Sequence, residues 1–183
     1  SLVGDIGIST FSVLSFIFSL ANAILSGVAQ GLQPLWGHCC GKGNTRDMGW
    51  YFYCGLLINS ILSVLIYGVL FFFDRAVIRI FNSSADLVQA ASAALPLFSL
   101  SFIPMALNLI YTAFLFSTKR TEAANIIAIS RGIVIKALAI FCIPVVFGSG
   151  SIWIAPFAAE IVTLALAVRL CRENGKKDQI FKK

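Results

Sequence analysis

Three ionisable side chains lie inside long apolar stretches of this sequence: Arg131, Lys136 and Glu160. A charge held at the centre of a bilayer costs ~3 kcal/mol on insertion scales, so such residues usually face protein or water and are paired. Two interpretations of these residues stay open: a structural pair inside a helix bundle, or a path for protons or substrate. Neither interpretation involves covalent chemistry.

Depth along the chain predicts which of these charges meet. Lys136 lies twelve residues before Gly148, which is ~18 Å at the rise of an α-helix. Glu160 lies ten residues after Gly150, which is ~15 Å by the same rise. Half the hydrocarbon thickness is also ~15 Å. We therefore predict a Lys136–Glu160 ion pair near the midplane, with Arg131 ranked second as the partner because it can snorkel inward.

Polar amides are the other candidates for a functional site. Gln30 and Gln33 lie three residues apart near the inner end of one apolar stretch, beside a G-x-x-x-G step at Gly27 and Gly31. Such a step lets a neighbouring helix approach closely, and amides hydrogen-bond between helices. Helix packing and the lining of a polar cavity are both open interpretations. As cavity residues we predict Gln30, Gln33 and Asn108, although helix–helix hydrogen bonding also fits Asn108.

Covalent and metal chemistry find no support in the sequence. It shows no glycine-rich phosphate loop and no nucleophile–base pair, and a lone His38 makes no triad. Cys39 and Cys40 are adjacent, which lacks the usual gap between zinc ligands. The sequence therefore predicts neither an enzyme nor a metal site, and no cofactor besides a coupling ion.

The elements that position these residues are membrane-spanning helices. Hydrophobic residues make up 58% of the chain and charged residues 12%, against roughly 45–50% and about 25% in soluble domains. A span needs ~20 apolar residues. The sequence predicts an all-α polytopic bundle over residues 1–171 and a basic tail at 172–183. Its five predicted spans are 6–36, 50–73, 87–116, 123–147 and 151–171.

The connections between the spans carry their own signals. A polar loop is predicted from His38 to Asp47, with Trp36 and Trp50 marking the membrane–water interface on its two sides. The segment after Asp74 is apolar on one side and basic on the other, which predicts a short interfacial helix. Two prolines eight residues apart, at positions 96 and 104, predict a bent third span.

Lys and Arg residues are distributed unevenly between the two sides. If the tail is inside, Arg75 and Arg79 are outside and the other span-flanking cations are inside, an excess that marks the cytoplasmic side. We predict a multi-pass protein of the plasma (inner) membrane with a cytoplasmic C-terminus. The net charge of +6 then suits anionic lipid and not nucleic acid. The inside cations are Lys42, Arg46, Lys119, Arg120, Arg169, Arg172, Lys176, Lys177, Lys182 and Lys183.

Residues 30–37, QGLQPLWG, followed by a Gly/Lys/Asn loop at 41–44, resemble the MATE family (multidrug and toxic compound extrusion), and most of all its bacterial drug-exporting branch. Residues 130–132, Pro144 and the stretch 152–160 are similar to the closing helices of that family. The resemblance implies twelve helices in two six-helix lobes. This chain would be helices eight to twelve, a partial second lobe that begins within a longer protein.

The resemblance also implies a function. The chain would be part of a secondary antiporter that exports amphipathic or cationic drugs in exchange for H⁺ or Na⁺ by alternating access. Its partners would be membrane lipid, small amphipathic or cationic substrates, and the missing N-terminal lobe. Two alternatives stay open: a lipid-linked oligosaccharide flippase, in which Arg131 and Lys136 would hold the pyrophosphate, and a non-transporting membrane assembly subunit.

Overall fold

A computed structural model of the chain describes residues 5–81, 84–147 and 153–177. Within these ranges the chain is helical apart from short turns, which confirms the all-α prediction. The predicted turn at 148–150 and the end of the basic tail lie outside the described residues. The helices are α1 (Asp5–Lys42), α2 (Thr45–Phe72), α3 (Asp74–Phe81), α4 (Ala85–Ser99), α5 (Phe102–Ser117), α6 (Thr121–Ile129), a π turn (Ser130–Val134), α7 (Ile135–Phe147) and α8 (Ala155–Lys177).

Length and composition support two or three membrane spans among the described residues. Helices α1 and α2 are each long and apolar enough to cross a bilayer, and α4 with α5 is a third span if the bent pair counts as one. The predicted fourth span is divided into α6, the π turn and α7. The predicted fifth span lies in α8, which carries Glu160, Arg169 and Arg172. The full set of five spans stays a prediction.

The first helix is longer than predicted and removes most of the predicted polar loop. It continues to Lys42, so only two residues separate it from α2. Gly43 has a φ of 67°, the left-handed conformation that commonly follows a helix end. The Asn44 side chain then accepts a hydrogen bond from the Asp47 N–H at 3.2 Å and caps α2. The loop is shorter than predicted because Gly43 ends α1 and Asn44 caps the start of α2.

The bend predicted from the two prolines is confirmed, since α4 and α5 meet at 43°. Pro104 has no N–H, so the Leu100 carbonyl loses its ordinary α-helical donor. The Ile103 N–H donates to that carbonyl instead, at 3.4 Å. The buried Ser101 hydroxyl donates to the Phe98 carbonyl at 2.7 Å. At the break between α4 and α5, a shifted backbone N–H and a serine hydroxyl therefore provide donors for the Leu100 and Phe98 carbonyls.

Helix α5 lies at the centre of the bundle and packs against α1, α2 and α8. Gly55 of α2 leaves room for side chains of α1: a Cβ there would lie 2.6 Å from Leu32 Cδ1 and 3.5 Å from the Trp36 ring. Trp36 fills this space, is fully buried and contacts the Phe114 ring edge-on at 5.6 Å. Trp36 is therefore a packing residue of the bundle, whereas Trp50 is exposed, and the position of both at a membrane–water interface stays a prediction.

Helix α3 has the predicted amphipathic character. Ile78 is fully buried against the bundle, whereas Arg75 and Arg79 are exposed. The helix connects α2 to α4 and packs on both. Its position at a membrane surface stays a prediction.

Candidate functional site

Glu160 of α8 is the centre of a buried polar cluster. Its side chain is 1% exposed. Arg131 Nε donates to Glu160 Oε1 at 3.1 Å, and Asn108 Nδ2 donates to Glu160 Oε2 at 2.8 Å. Lys136 Nζ lies 3.9 Å from Oε1. We call these four residues, Asn108, Arg131, Lys136 and Glu160, the Glu160 cluster.

The predicted contact between Lys136 and Glu160 is confirmed, but the ranking of Glu160's partners is wrong, and the depth of the pair in a membrane stays a prediction. Arg131 is the closer cation and the one within hydrogen-bonding distance. Asn108 adds a second link, because its Nδ2 also donates to the backbone carbonyl of Glu160 at 3.0 Å. The helix–helix interpretation of Asn108 is therefore confirmed, since these bonds join α5 to α8.

The π turn explains how two cations reach one carboxylate. Arg131 and Lys136 are five residues apart, so on a regular α-helix they would lie about 140° apart around the axis. Between them the Ile135 N–H donates to the Ser130 carbonyl, a bond that spans five residues. Such a bond brings positions i and i+5 into register. Both side chains therefore face Glu160. Single π turns are frequent at functional sites.

The charges in the Glu160 cluster do not balance. Two cationic side chains face one carboxylate, which leaves one positive charge in excess when all three are ionised. Arg131 is the better enclosed of the two, with a side chain 15% exposed against 31% for Lys136. The carboxylate accepts from Arg131 and Asn108 on its two different oxygens. The excess charge is therefore best assigned to Lys136.

A small aromatic pocket adjoins Lys136. It has a volume of about 190 Å³ and lies between the N-terminal half of α1, α4, α7 and the start of α8. Lys136 Nζ lies 4.8 Å from the centroid of the Phe18 ring, a cation–π contact. Phe98 and Phe11 provide further aromatic walls, and Ala159 provides a small one. Apart from Lys136 and Ser15, the lining side chains are apolar.

The two glutamines do not join this cluster. Gln30 follows Phe18 by twelve residues on α1, which is ~18 Å along the helix. Gln30 is exposed and Gln33 is half-buried. A Cβ at Gly27 or at Gly31 would meet nothing within 4 Å. The G-x-x-x-G step therefore brings no described helix close, and the packing interpretation of this step is wrong for the described part of the chain.

Sequence reasoning missed the aromatic pocket and the π turn. One signal for the π turn was available: Arg131 and Lys136 cannot share a face of a regular α-helix, yet both needed a partner at mid-membrane depth. Two buried polar residues of α2, Asn59 and Ser63, bond differently. Asn59 links two helices, since its Nδ2 donates to the buried Ala106 carbonyl at 2.8 Å. The Ser63 hydroxyl donates to the Ser60 carbonyl in its own helix.

Long apolar helices around a buried charge cluster are typical of an all-α membrane protein. The MatE family profile matches residues 1–142, so the chain belongs to the MatE family, which is one of transporters and not of enzymes. Its fold is similar to a solved structure described as the outward-facing conformation of a multidrug resistance MATE family transporter of the MOP superfamily. That match has a TM-score of 0.87 and 18% sequence identity.

The extent of the match is unequal between the two proteins. It covers 96% of this chain but 40% of the other. The chain therefore spans less than half the length of that transporter. A comparison with curated proteins gives no significant match. The predicted family and the all-α membrane fold are confirmed.

Proposed function

We propose that this chain is part of the second lobe of a secondary antiporter, which exports amphipathic or cationic drugs in exchange for H⁺ or Na⁺. The membership in the MatE family carries the proposal. The fold match supports it, because 40% of the other chain is about what five of twelve helices would occupy. Alternating access would come from rocking of this lobe against its counterpart.

The Glu160 cluster supports a lobe that moves as a unit. Asn108 on α5 and Arg131 in the π turn both bind one side chain of α8. Three elements from different parts of the chain are thereby joined at one buried point. Buried charges in membrane proteins mark transport pathways or the structures that hold them together. The site is suited to binding and positioning, and it has no arrangement for covalent chemistry.

A lipid-linked oligosaccharide flippase is the second candidate, and one observation favours it. Arg131 and Lys136 do lie together, as a pyrophosphate site would require. However, Glu160 offsets one of the two cations, so the cluster offers one excess charge to a headgroup that carries more than one. We therefore prefer the antiporter.

Transport is expected only from the intact protein. Reconstituted in liposomes, it should expel an amphipathic cationic dye when a gradient of H⁺ or of Na⁺ is imposed, each gradient being tested separately. The 183-residue chain alone should give no ion-driven efflux, because it lacks an opposite wall for the cavity. Efflux is measured by dye fluorescence, with collapsed gradients as the control. Gradient-driven efflux by the chain alone would refute the partial-lobe proposal.

We also propose that the C-terminus is cytoplasmic, in a plasma (inner) membrane. In a cysteine-free background, a cysteine at the exposed Arg79 of α3 should react with an impermeant maleimide on intact cells. A cysteine at the exposed Arg172 of α8 should react only after the cells are opened. The reason is the excess of cations expected on the cytoplasmic side. The reverse labelling pattern would overturn this orientation.

A further inference from the structure

We propose that Lys136 and the aromatic pocket beside it bind an amphipathic anion: a single carboxylate or phosphate headgroup on a compact apolar body. The inference rests on the proposed function for its setting in a transporter lobe. It goes further by naming the charge and size of one class of ligand. Both come from the geometry around Lys136.

The charge of the ligand follows from how Glu160 is occupied. Arg131 donates to one carboxylate oxygen at 3.1 Å and Asn108 to the other at 2.8 Å. Lys136 Nζ, at 3.9 Å from the nearer oxygen, is beyond hydrogen-bonding distance. One carboxylate thus faces two cations, which leaves the Glu160 cluster with a net positive charge. An anion in the pocket would balance this net charge, whereas a cation there would be repelled by it.

The shape of the ligand follows from the walls. The rings of Phe11, Phe18 and Phe98 line the pocket. On the side of α8, the small side chains of Ala155 and Ala159 leave room for a ligand. Drug-sized pockets have volumes of ~300–1,000 Å³, and this one is smaller, at about 190 Å³. Apolar walls with one placed polar group are the usual design of a ligand site. A compact apolar body with its acid directed at Lys136 Nζ fits both features.

Two sources could supply such a ligand: the acidic headgroup of a membrane lipid, or a free compound on its way out. The headgroup chemistry is the same for both. Binding to the intact protein in nanodiscs distinguishes them. If the source is lipid, nanodiscs that contain phosphatidylglycerol should occupy the pocket and suppress binding of a soluble probe, relative to phosphatidylcholine alone. If the source is a free compound, the probe should bind equally in both.

The probe is 2-naphthoate, with the neutral 2-naphthamide and the cationic 2-naphthylmethylammonium as matched analogues. Binding is measured by calorimetry on the intact protein in phosphatidylcholine nanodiscs. We expect the anion to bind tightest and the cation weakest. Lys136→Met should weaken the anion about tenfold or more, since hydrogen bonds to charged groups are worth at least that factor. It should leave the amide unchanged. Phe11→Ala should weaken the anion and the amide together.

Two controls keep the test decisive. Lys42→Met removes an exposed lysine at the end of α1 and should change none of the three affinities. Lys136→Arg keeps the charge and should retain anion binding if Lys136→Met misfolds. The alternative is that a carboxylate from a part of the transporter outside this chain pairs with Lys136 and takes the place of a ligand. In that case wild type and Lys136→Met would bind 2-naphthoate alike, and the proposal would be wrong. Tighter binding of the cation would also overturn it. No transport is measured, so a failure here leaves the antiporter proposal standing.

Discussion

Glu160→Gln is expected to remove most of the folded protein. The substitution keeps the shape of the side chain but removes the negative charge that faces Arg131 and Lys136. Breaking a buried ion pair by removing one partner costs about 3–5 kcal/mol, a large part of a stability of ~5–15 kcal/mol. The loss should appear in the monodisperse fraction of the intact protein on size-exclusion chromatography and in its thermal midpoint in detergent.

The excess positive charge makes the cluster asymmetric to substitution. Arg131→Gln removes one cation and leaves Lys136 and Glu160 as a balanced pair, so it should be clearly milder than Glu160→Gln. The double change Arg131→Gln with Glu160→Gln restores the net charge of the wild-type cluster and should recover part of the yield. If Arg131→Gln proves as damaging as Glu160→Gln, the assignment of an excess charge to this cluster is incorrect.

A matched control lies on the same helix. Arg169 Nε and Glu173 Oε1 are 3.0 Å apart, almost the same distance as in the buried pair, but their side chains are 79% and 56% exposed. Exposed pairs four residues apart on a helix contribute about 0.3–0.5 kcal/mol. Glu173→Gln should therefore leave both the yield and the thermal midpoint nearly unchanged. The contrast isolates burial as the cause of the effect at Glu160.

The sequence could locate the Glu160 cluster but not its internal geometry. Counting the rise per residue from a shared turn places Lys136 and Glu160 at one depth, and this needs only that both segments are helical. The partner order depends on the phase of the helix between Arg131 and Lys136. That phase is set by a backbone irregularity, and hydrophobicity gives no measure of it. The common level of the two residues along their helices was therefore predictable, and the direction in which each side chain faces was not.

The same limit applies to the packing of α1. Trp36 and Gly31 were each assigned a role from residue type alone, the first at an interface and the second in a close helix contact. The structure buries Trp36 opposite Gly55 and leaves Gly31 with nothing within 4 Å of its Cβ position. In a chain this apolar, both faces of a helix look suitable for burial, so composition does not select the packed one. The prolines gave better guidance, because a missing N–H acts on the backbone whichever face is buried.

Deleting Gly132 from the π turn is expected to preserve the fold. The deletion leaves Arg131 and Lys136 four residues apart, and a regular α-helix then places them about 40° apart on one face. Gly132 is exposed, and a Cβ there would meet nothing within 4 Å, so no packed side chain is lost. A π turn is one residue longer than the α turn that replaces it. The segments on either side therefore keep the faces that they present to α8.

Deleting Ala128 from α6 is the matched comparison, and it should be the more damaging of the two. Ala128 is also exposed, but it lies in regular α-helix, where a lost residue rotates the residues that follow it, Arg131 among them, by about 100°. The buried residues Ala124 and Ile127 of α6 would then no longer face the bundle while Arg131 faces Glu160. Yield and thermal midpoint of the intact protein distinguish the two deletions. If both deletions lower the yield and the thermal midpoint by similar amounts, the π turn does not determine which side chains of α6 and α7 face Glu160.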